Sequence, residues 1–274
     1  MKELALRILV SIFGIPLLLF LFYKGGLYFF TFITLVSIIG QWEMYNILQK
    51  KDTYPQRFPG IVFGLNVLAL IQFGGYPLLK ILLLILLFYL FASEMFYNKG
   101  SSNLNIAATL FGVIYPALFL GALLYLRNHV QTLFPGNEHN ASFYLIFVII
   151  SIWICDTFAY FFGKTFGRHK LFERVSPKKS IEGALAGVIG ALFVFLIAKW
   201  SSFLSVSYFF AIISGLIAGV IGQIGDLVES WFKRDAQIKD SSRLLPGHGG
   251  MLDRFDSLLF VSPAFLIFYF FWTL

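Results

Sequence analysis

The chain has 274 residues, of which 58% are apolar and 13% charged, against about 45–50% and about 25% in ordinary soluble domains. That excess of apolar surface excludes a water-soluble fold and makes lipid the expected solvent; an aromatic share of 19%, with 34 Phe, suits lipid-facing helices and interfacial belts. The net charge of +7 is the usual excess of Lys and Arg on cytoplasmic loops, so no nucleic acid is expected as a partner, and the single cysteine, Cys155, excludes a disulfide framework or a cysteine-based metal site within the chain.

A spanning helix needs about 20 mostly apolar residues. Nine runs approach that length: 4–23, 27–48, 58–74, 77–97, 104–126, 142–163, 183–200, 206–227 and 255–274. The first follows Met1-Lys2-Glu3 as a signal peptide would, but no small-residue cleavage site follows it, so a retained helix is expected. The third and fourth meet at Gly74-Gly75-Tyr76-Pro77, a turn signal. No repeat or low-complexity linker divides the chain. The expected fold class is therefore an all-α polytopic membrane protein of about nine helices. Residues 1–140 are read as helices for membrane embedding and dimer contacts in a homodimer. Residues 141–274 are read as a catalytic region with basic loops at 164–182 and 228–254.

Charge decides the orientation. With the N-terminus inside, only Lys24, Lys80, Arg127 and Lys199 fall on the outer side, and the other 17 of 21 basic residues are cytoplasmic. The two longest basic loops then share the cytoplasmic face of the cell (inner) membrane.

Of 14 carboxylates, nine lie beyond residue 150. Asp156 and Asp226 sit inside apolar runs, where an ionisable group is a functional candidate by default. Asp253 and Asp256 are three apart at the start of the ninth run, on one face of a helix. Simple capping accounts for such a pair; so does metal binding, since two hard oxygen ligands with a third from Asp226 suit Mg2+ held partly by substrate phosphates. The preceding loop contains Pro246-Gly247-His248-Gly249-Gly250, whose glycines let main-chain N–H groups face an anion. His248 stands out among the histidines because it is embedded in glycines beside the aspartates, with its role as acid, donor or structural group left open. In the other basic loop, Ser176-Pro177-Lys178-Lys179-Ser180 reads as a turn, with Ser180 placed to cap the next helix and paired lysines at its mouth.

These residues resemble a known family. The pattern Ser230-x-x-Lys233-Arg234-x4-Lys239-Asp240-x5-Pro246-x-His248-Gly249-Gly250-x-x-Asp253-Arg254-x-Asp256 is similar to the signature of the phosphatidate cytidylyltransferases, or CDP-diacylglycerol synthases. Ser176-Pro177-Lys178-Lys179-Ser180-x-Glu182-Gly183 and Asp156-Thr157-x-Ala159-Tyr160-x-x-Gly163-Lys164-x-x-Gly167 resemble further blocks, so the likeness spans residues 150–274.

The resemblance implies transfer of CMP from CTP to phosphatidic acid within the bilayer. The products would be CDP-diacylglycerol and pyrophosphate, and Mg2+ would be required, with a second cation left open. It implies Asp226, Asp253 and Asp256 as metal ligands and catalytic residues, with Lys233, Arg234 and His248 also catalytic. Substrate would be held by Lys178, Lys179, Lys239, Arg254, Asp156, Glu182, Gly249 and Gly250. The competing readings are a related CTP-dependent lipid enzyme, such as a polyprenol kinase or an ether-lipid cytidylyltransferase, and an ion-coupled transporter. A transporter predicts internal repeats, which are absent from the sequence.

Overall fold

The computed structural model describes residues 2–134, 138–242, 244 and 249–274, with side chains placed from residue 12 onward except those of 138–140. Helices dominate: α1 (Lys2–Lys24), α2 (Gly26–Gln49), α3 (Arg57–Gln72), α4 (Leu78–Glu94), α5 (Ser102–Gly112), α6 (Phe119–His129), α7 (Glu138–Phe166), α8 (Ile181–Trp200), α9 (Tyr208–Leu216), α10 (Gly222–Asp235) and α11 (Leu252–Thr273). A π-helical turn, Val113–Leu118, joins α5 to α6, and another, Ile217–Ile221, joins α9 to α10. The first contains Pro116, which has no N–H to give to the helical ladder. Among the described residues six helical segments are long and apolar enough to cross a membrane, so the chain is an all-α, multi-pass membrane protein.

All nine apolar runs fall on helices, but two local expectations change. The stretch read as a turn at Ser176 is instead a strand. β1 (Lys170–Phe172) pairs antiparallel with β2 (Ser176–Ser180), Lys170 opposite Ser180 and Phe172 opposite Ser176. Strands this short carry too few side chains for their alternation to be read. The eighth run was expected to end at 227, yet α10 continues to Asp235. Hydropathy falls there because the residues are polar, but Glu229 and Lys233 are buried, so the helix persists. It ends in a Schellman turn with Gln237 at φ 58° and Ile238 N–H donating to the Lys233 carbonyl at 2.8 Å.

The chain folds as two compact units. The first comprises Met1–Gly14, Gly26–Asn128 and Phe232–Arg254; the second Ile15–Gly25, His129–Trp231 and Phe255–Leu274. In the first, α2 meets its neighbours at the buried ring of Tyr45. A Cβ on Gly112 would lie 2.0 Å from that ring, so only glycine fits, and the Tyr45 hydroxyl donates to the Thr109 carbonyl at 3.1 Å. One group of buried polar side chains here is satisfied internally, as lipid demands. Glu94 accepts from Gln56 at 2.9 Å and Asn105 at 3.2 Å, and Asn105 in turn accepts from the Tyr54 N–H at 2.7 Å. The last turn of α10 is held by Phe232, edge-on to Phe111 and Tyr115 at 5.2 and 5.6 Å.

In the second unit small residues let helix backbones touch. A Cβ on Gly183 of α8 would lie 2.6 Å from the Ala159 carbonyl of α7. A Cβ on Gly225 of α10 would lie 2.7 Å from the Asp256 carbonyl of α11. Tyr144 centres the apolar core, with Phe195, Phe210 and Phe265 around it and its hydroxyl 3.1 Å from that of Ser214.

Candidate functional site

The close approach of α7 and α8 fixes one wall of a polar cavity in the second unit. Its volume is about 540 Å³. Asp156, Tyr160 and Lys164 come from α7 at a spacing of four residues, which puts them on one helix face. Lys178 and Lys179 come from β2, and Gln223 and Asp226 from one face of α10. The β hairpin is braced by Lys170 Nζ donating to the Pro177 carbonyl at 2.7 Å. Ser180 ends it and caps α8, its hydroxyl accepting from the Gly183 N–H at 3.2 Å as expected from sequence.

Lys179 Nζ donates to Asp226 Oδ2, the two side chains being 29% and 27% exposed. Three ammonium groups and two carboxylates therefore border one cavity. Gln223 is held by two bonds from its side-chain amide, to the Ala184 carbonyl at 3.0 Å and the Gly219 carbonyl at 2.9 Å, the second within the π turn. Glu182 shapes the cavity's surroundings. Its carboxylate accepts from the Arg168 N–H at 3.0 Å and the His169 N–H at 3.2 Å, and meets His169 Nδ1 at 2.6 Å, so it ties the end of α7 to the start of α8.

The first unit holds a second polar assembly. Lys233 Nζ donates to Asp253 Oδ1, with side chains only 10% and 7% exposed. The other oxygen, Oδ2, accepts from the Gly250 N–H at 2.8 Å and the Ser241 N–H at 2.9 Å, with the Ser241 hydroxyl oxygen also 2.9 Å away. Asp253 thereby organises the loop before α11 and balances the Lys233 charge. Gly249 has φ 83°, a left-handed conformation that favours glycine. Arg234 donates from Nη1 to the Ile238 carbonyl at 3.0 Å, and Lys239 and Arg254 are exposed. Buried Glu43, on α2, accepts from Ser241 and from the Leu252 N–H in the same assembly.

Of the residues singled out in the sequence, the cavity gathers Asp156, Lys178, Lys179 and Asp226, while Lys233, Gly250 and Asp253 meet in the first unit. Asp253 and Asp256 share α11 but fall in different units. Asp256 lies where α11 touches α10, its carbonyl against Gly225, next to Asp226. Among the described residues no three His, Cys, Asp or Glu side chains are grouped to hold a metal ion. His248 lies outside the described residues.

Sequence reasoning missed Gln223, Tyr160 and Lys164 as cavity residues, and missed Glu43 altogether. The signals were present: Gln223 precedes Asp226 by three residues on a helix, and Gln41-Trp42-Glu43 interrupts an apolar run.

A family model described as the cytidylyltransferase family matches residues 5–272. The chain is 33% identical over 262 residues to a phosphatidate cytidylyltransferase of Staphylococcus saprophyticus, covering 94% of this chain and 95% of the relative. It is 32% identical over 263 residues to the phosphatidate cytidylyltransferase of Staphylococcus aureus strain COL, with the same shares covered. A Staphylococcus epidermidis phosphatidate cytidylyltransferase is 32% identical over 262 residues, again covering 94% and 95%.

Proposed function

The chain belongs to the cytidylyltransferase family, and from that premise we propose that the cavity of α7, β2, α8 and α10 holds the phosphates of CTP. The activity is that of a phosphatidate cytidylyltransferase: CTP and phosphatidic acid give CDP-diacylglycerol and pyrophosphate. A phosphate oxygen of the lipid bonds to the α-phosphorus of CTP, the bond from that phosphorus to the β-phosphate bridge breaks, and pyrophosphate leaves with the electron pair. The nucleophile is already ionised, so no strong base is required. Catalysis rests on positioning and charge neutralisation.

The observation that carries this reading is the convergence of Lys164, Lys178 and Lys179 with Asp156 and Asp226 around one cavity. The lysines supply the countercharge for phosphate oxygens. Gln223 and the Glu182 tie keep the cavity walls in place.

The donor set fits Mg2+, an ion held by one or two carboxylates with substrate phosphates completing its shell. Asp226 and Asp156 border the cavity, and Asp256 stands on the turn of α11 packed against α10 beside Asp226. Asp226 and Asp156 would hold the ion together with substrate phosphates. Bound there, it would supply a Lewis acid to the phosphate oxygens. Asp253, proposed from the sequence as a ligand, already has Lys233, Ser241 and Gly250 on its two oxygens, so its assigned task is to order the loop that carries Lys239 and the start of α11 that carries Arg254.

The proposal extends to nine spans, one for each apolar run, with the N-terminus and this cavity at the cytoplasmic side of the cell membrane; the basic-residue count and the cytosolic source of CTP support that orientation. Self-association through the N-terminal helices is the corresponding proposal for quaternary structure, tested by mass measurement in detergent.

The test of function is conversion of labelled CTP by the purified chain in mixed micelles with phosphatidic acid and Mg2+. CDP-diacylglycerol should form, should stop with EDTA and should resume when Mg2+ is restored. Turnover of a prenol or an ether lipid, with none of phosphatidic acid, would overturn the substrate assignment.

A further inference from the structure

Glu43 stands on α2, in a region to which the sequence assigned membrane embedding and dimer contacts but no part in the reaction. It is 2% exposed. Its oxygens take up four donors: Ser242 Oγ and the Met251 N–H (2.9 Å) on Oε1, Ser241 Oγ (2.9 Å) and the Leu252 N–H (2.8 Å) on Oε2. Met251 and Leu252 stand at the start of α11, where N–H groups have no helical acceptor. Glu43 therefore caps α11 from another helix, and its negative charge faces the positive end of the α11 dipole.

The packing admits this group and little else. A Cβ on Gly250 would fall 1.9 Å from Ser241 Oγ and 2.6 Å from Glu43 Oε1. One turn earlier on α2, a Cβ on Gly40 would fall 3.2 Å from the Leu252 side chain. Ser241 is the hinge of the arrangement. Its hydroxyl lies 2.9 Å from both Glu43 and Asp253, and its N–H donates to Asp253. Glu43 and Asp253 thus grip the two ends of the loop between α10 and α11.

From this geometry we infer that Glu43 is a positioning residue for the transferase reaction: it sets the α10–α11 loop, and with it the residues around Asp253, in the arrangement used for turnover. The inference rests on the proposed function. Four donors require two acceptor oxygens, and only a carboxylate provides them. Glu43→Gln keeps the shape but turns an amide group towards two donors, which breaks the cap without opening a cavity.

Glu94 provides the comparison. It is also buried in the first unit, at 6% exposure, but it bonds Gln56 and Asn105 rather than this loop. Displacement of a reactive group by about 1 Å costs on the order of 100-fold in rate. In the full-length chain, Glu43→Gln should lower kcat by about that factor, at unchanged Mg2+ requirement. Glu94→Gln should lower thermal stability and leave kcat within about twofold of the parent.

Hydrogen exchange gives the readout that general destabilisation would not reproduce. In Glu43→Gln the Met251 and Leu252 amides should exchange faster while those of α3 and α4 stay protected. Full kcat in Glu43→Gln, equal losses in the two variants, or unchanged exchange at Met251 and Leu252 would each overturn the inference. If the parent chain makes no CDP-diacylglycerol while those two amides still respond to Glu43→Gln, the functional reading fails and the cap stands.

Discussion

Replacing Lys179 with Met separates a cavity cation that handles substrate from one that holds the fold. The side chain keeps nearly the same length and loses its charge. Its partner Asp226 is 27% exposed and Lys179 is 29% exposed, so solvent screens the pair substantially. Such a pair contributes about 1 kcal/mol or less to stability. In a chain of this size that is about 2–4 °C in Tm.

The effect on turnover should be larger. A hydrogen bond to a charged group is worth about 1.5–3 kcal/mol, which converts to roughly 10- to 150-fold in kcat/KM for CTP. The loss should fall towards the upper end, because Asp226 is left without the ammonium that met it and would face the incoming triphosphate beside Asp156. The assay is initial-rate conversion of labelled CTP in micelles of fixed phosphatidic acid content, with Tm measured on the same preparation. A fall in Tm above about 10 °C with undiminished kcat/KM in the surviving folded protein would make Lys179 a structural residue and remove the charge argument for the cavity.

Asp253→Asn should lose both activity and stability, because it leaves a Lys233 ammonium with 10% exposure facing a neutral group, a change that costs about 3–5 kcal/mol. Asp226→Asn, in the more open cavity, should abolish turnover with a much smaller fall in Tm; the two melting curves measured side by side test the contrast. Gly183→Ala should lower kcat by spreading α7 from α8, since its Cβ would fall 2.6 Å from the Ala159 carbonyl, and a full-rate variant would contradict that close packing. For orientation, Glu173→Cys on the exposed hairpin turn should react in intact cells only with a membrane-permeant thiol reagent, the native Cys155 being buried and silent; labelling by an impermeant reagent would reverse the topology.

The helical, membrane-embedded class was legible because lipid imposes a simple rule on long segments, and each apolar run became a helix. Ser180 as a cap and Lys178 and Lys179 beside an anion cavity were legible for a similar reason, since capping and charge act over a few residues. The limits came where burial contradicts polarity. The apolar run stops at Leu227, but α10 runs on to Asp235 because Lys233 finds Asp253. The i, i+3 spacing of Asp253 and Asp256 correctly put both on one helix, yet spacing carries no information about Lys233, 20 residues upstream, or Ser241, 12 residues upstream, which between them reach both oxygens of Asp253.

Glu43 shows the same limit at its greatest separation, standing 209 positions before the Leu252 N–H it caps. One apolar run holding one carboxylate signals that something must compensate the charge. Here the compensation is four donors from a loop that, by sequence alone, reads as solvated and basic. Ser241 and Ser242 on one side and Met251 and Leu252 on the other are tied to α2 in this way. The N-terminal helices thereby become part of what orders the Asp253 region, and truncating them should abolish turnover even though the cavity's lysines and Asp226 all lie beyond residue 150.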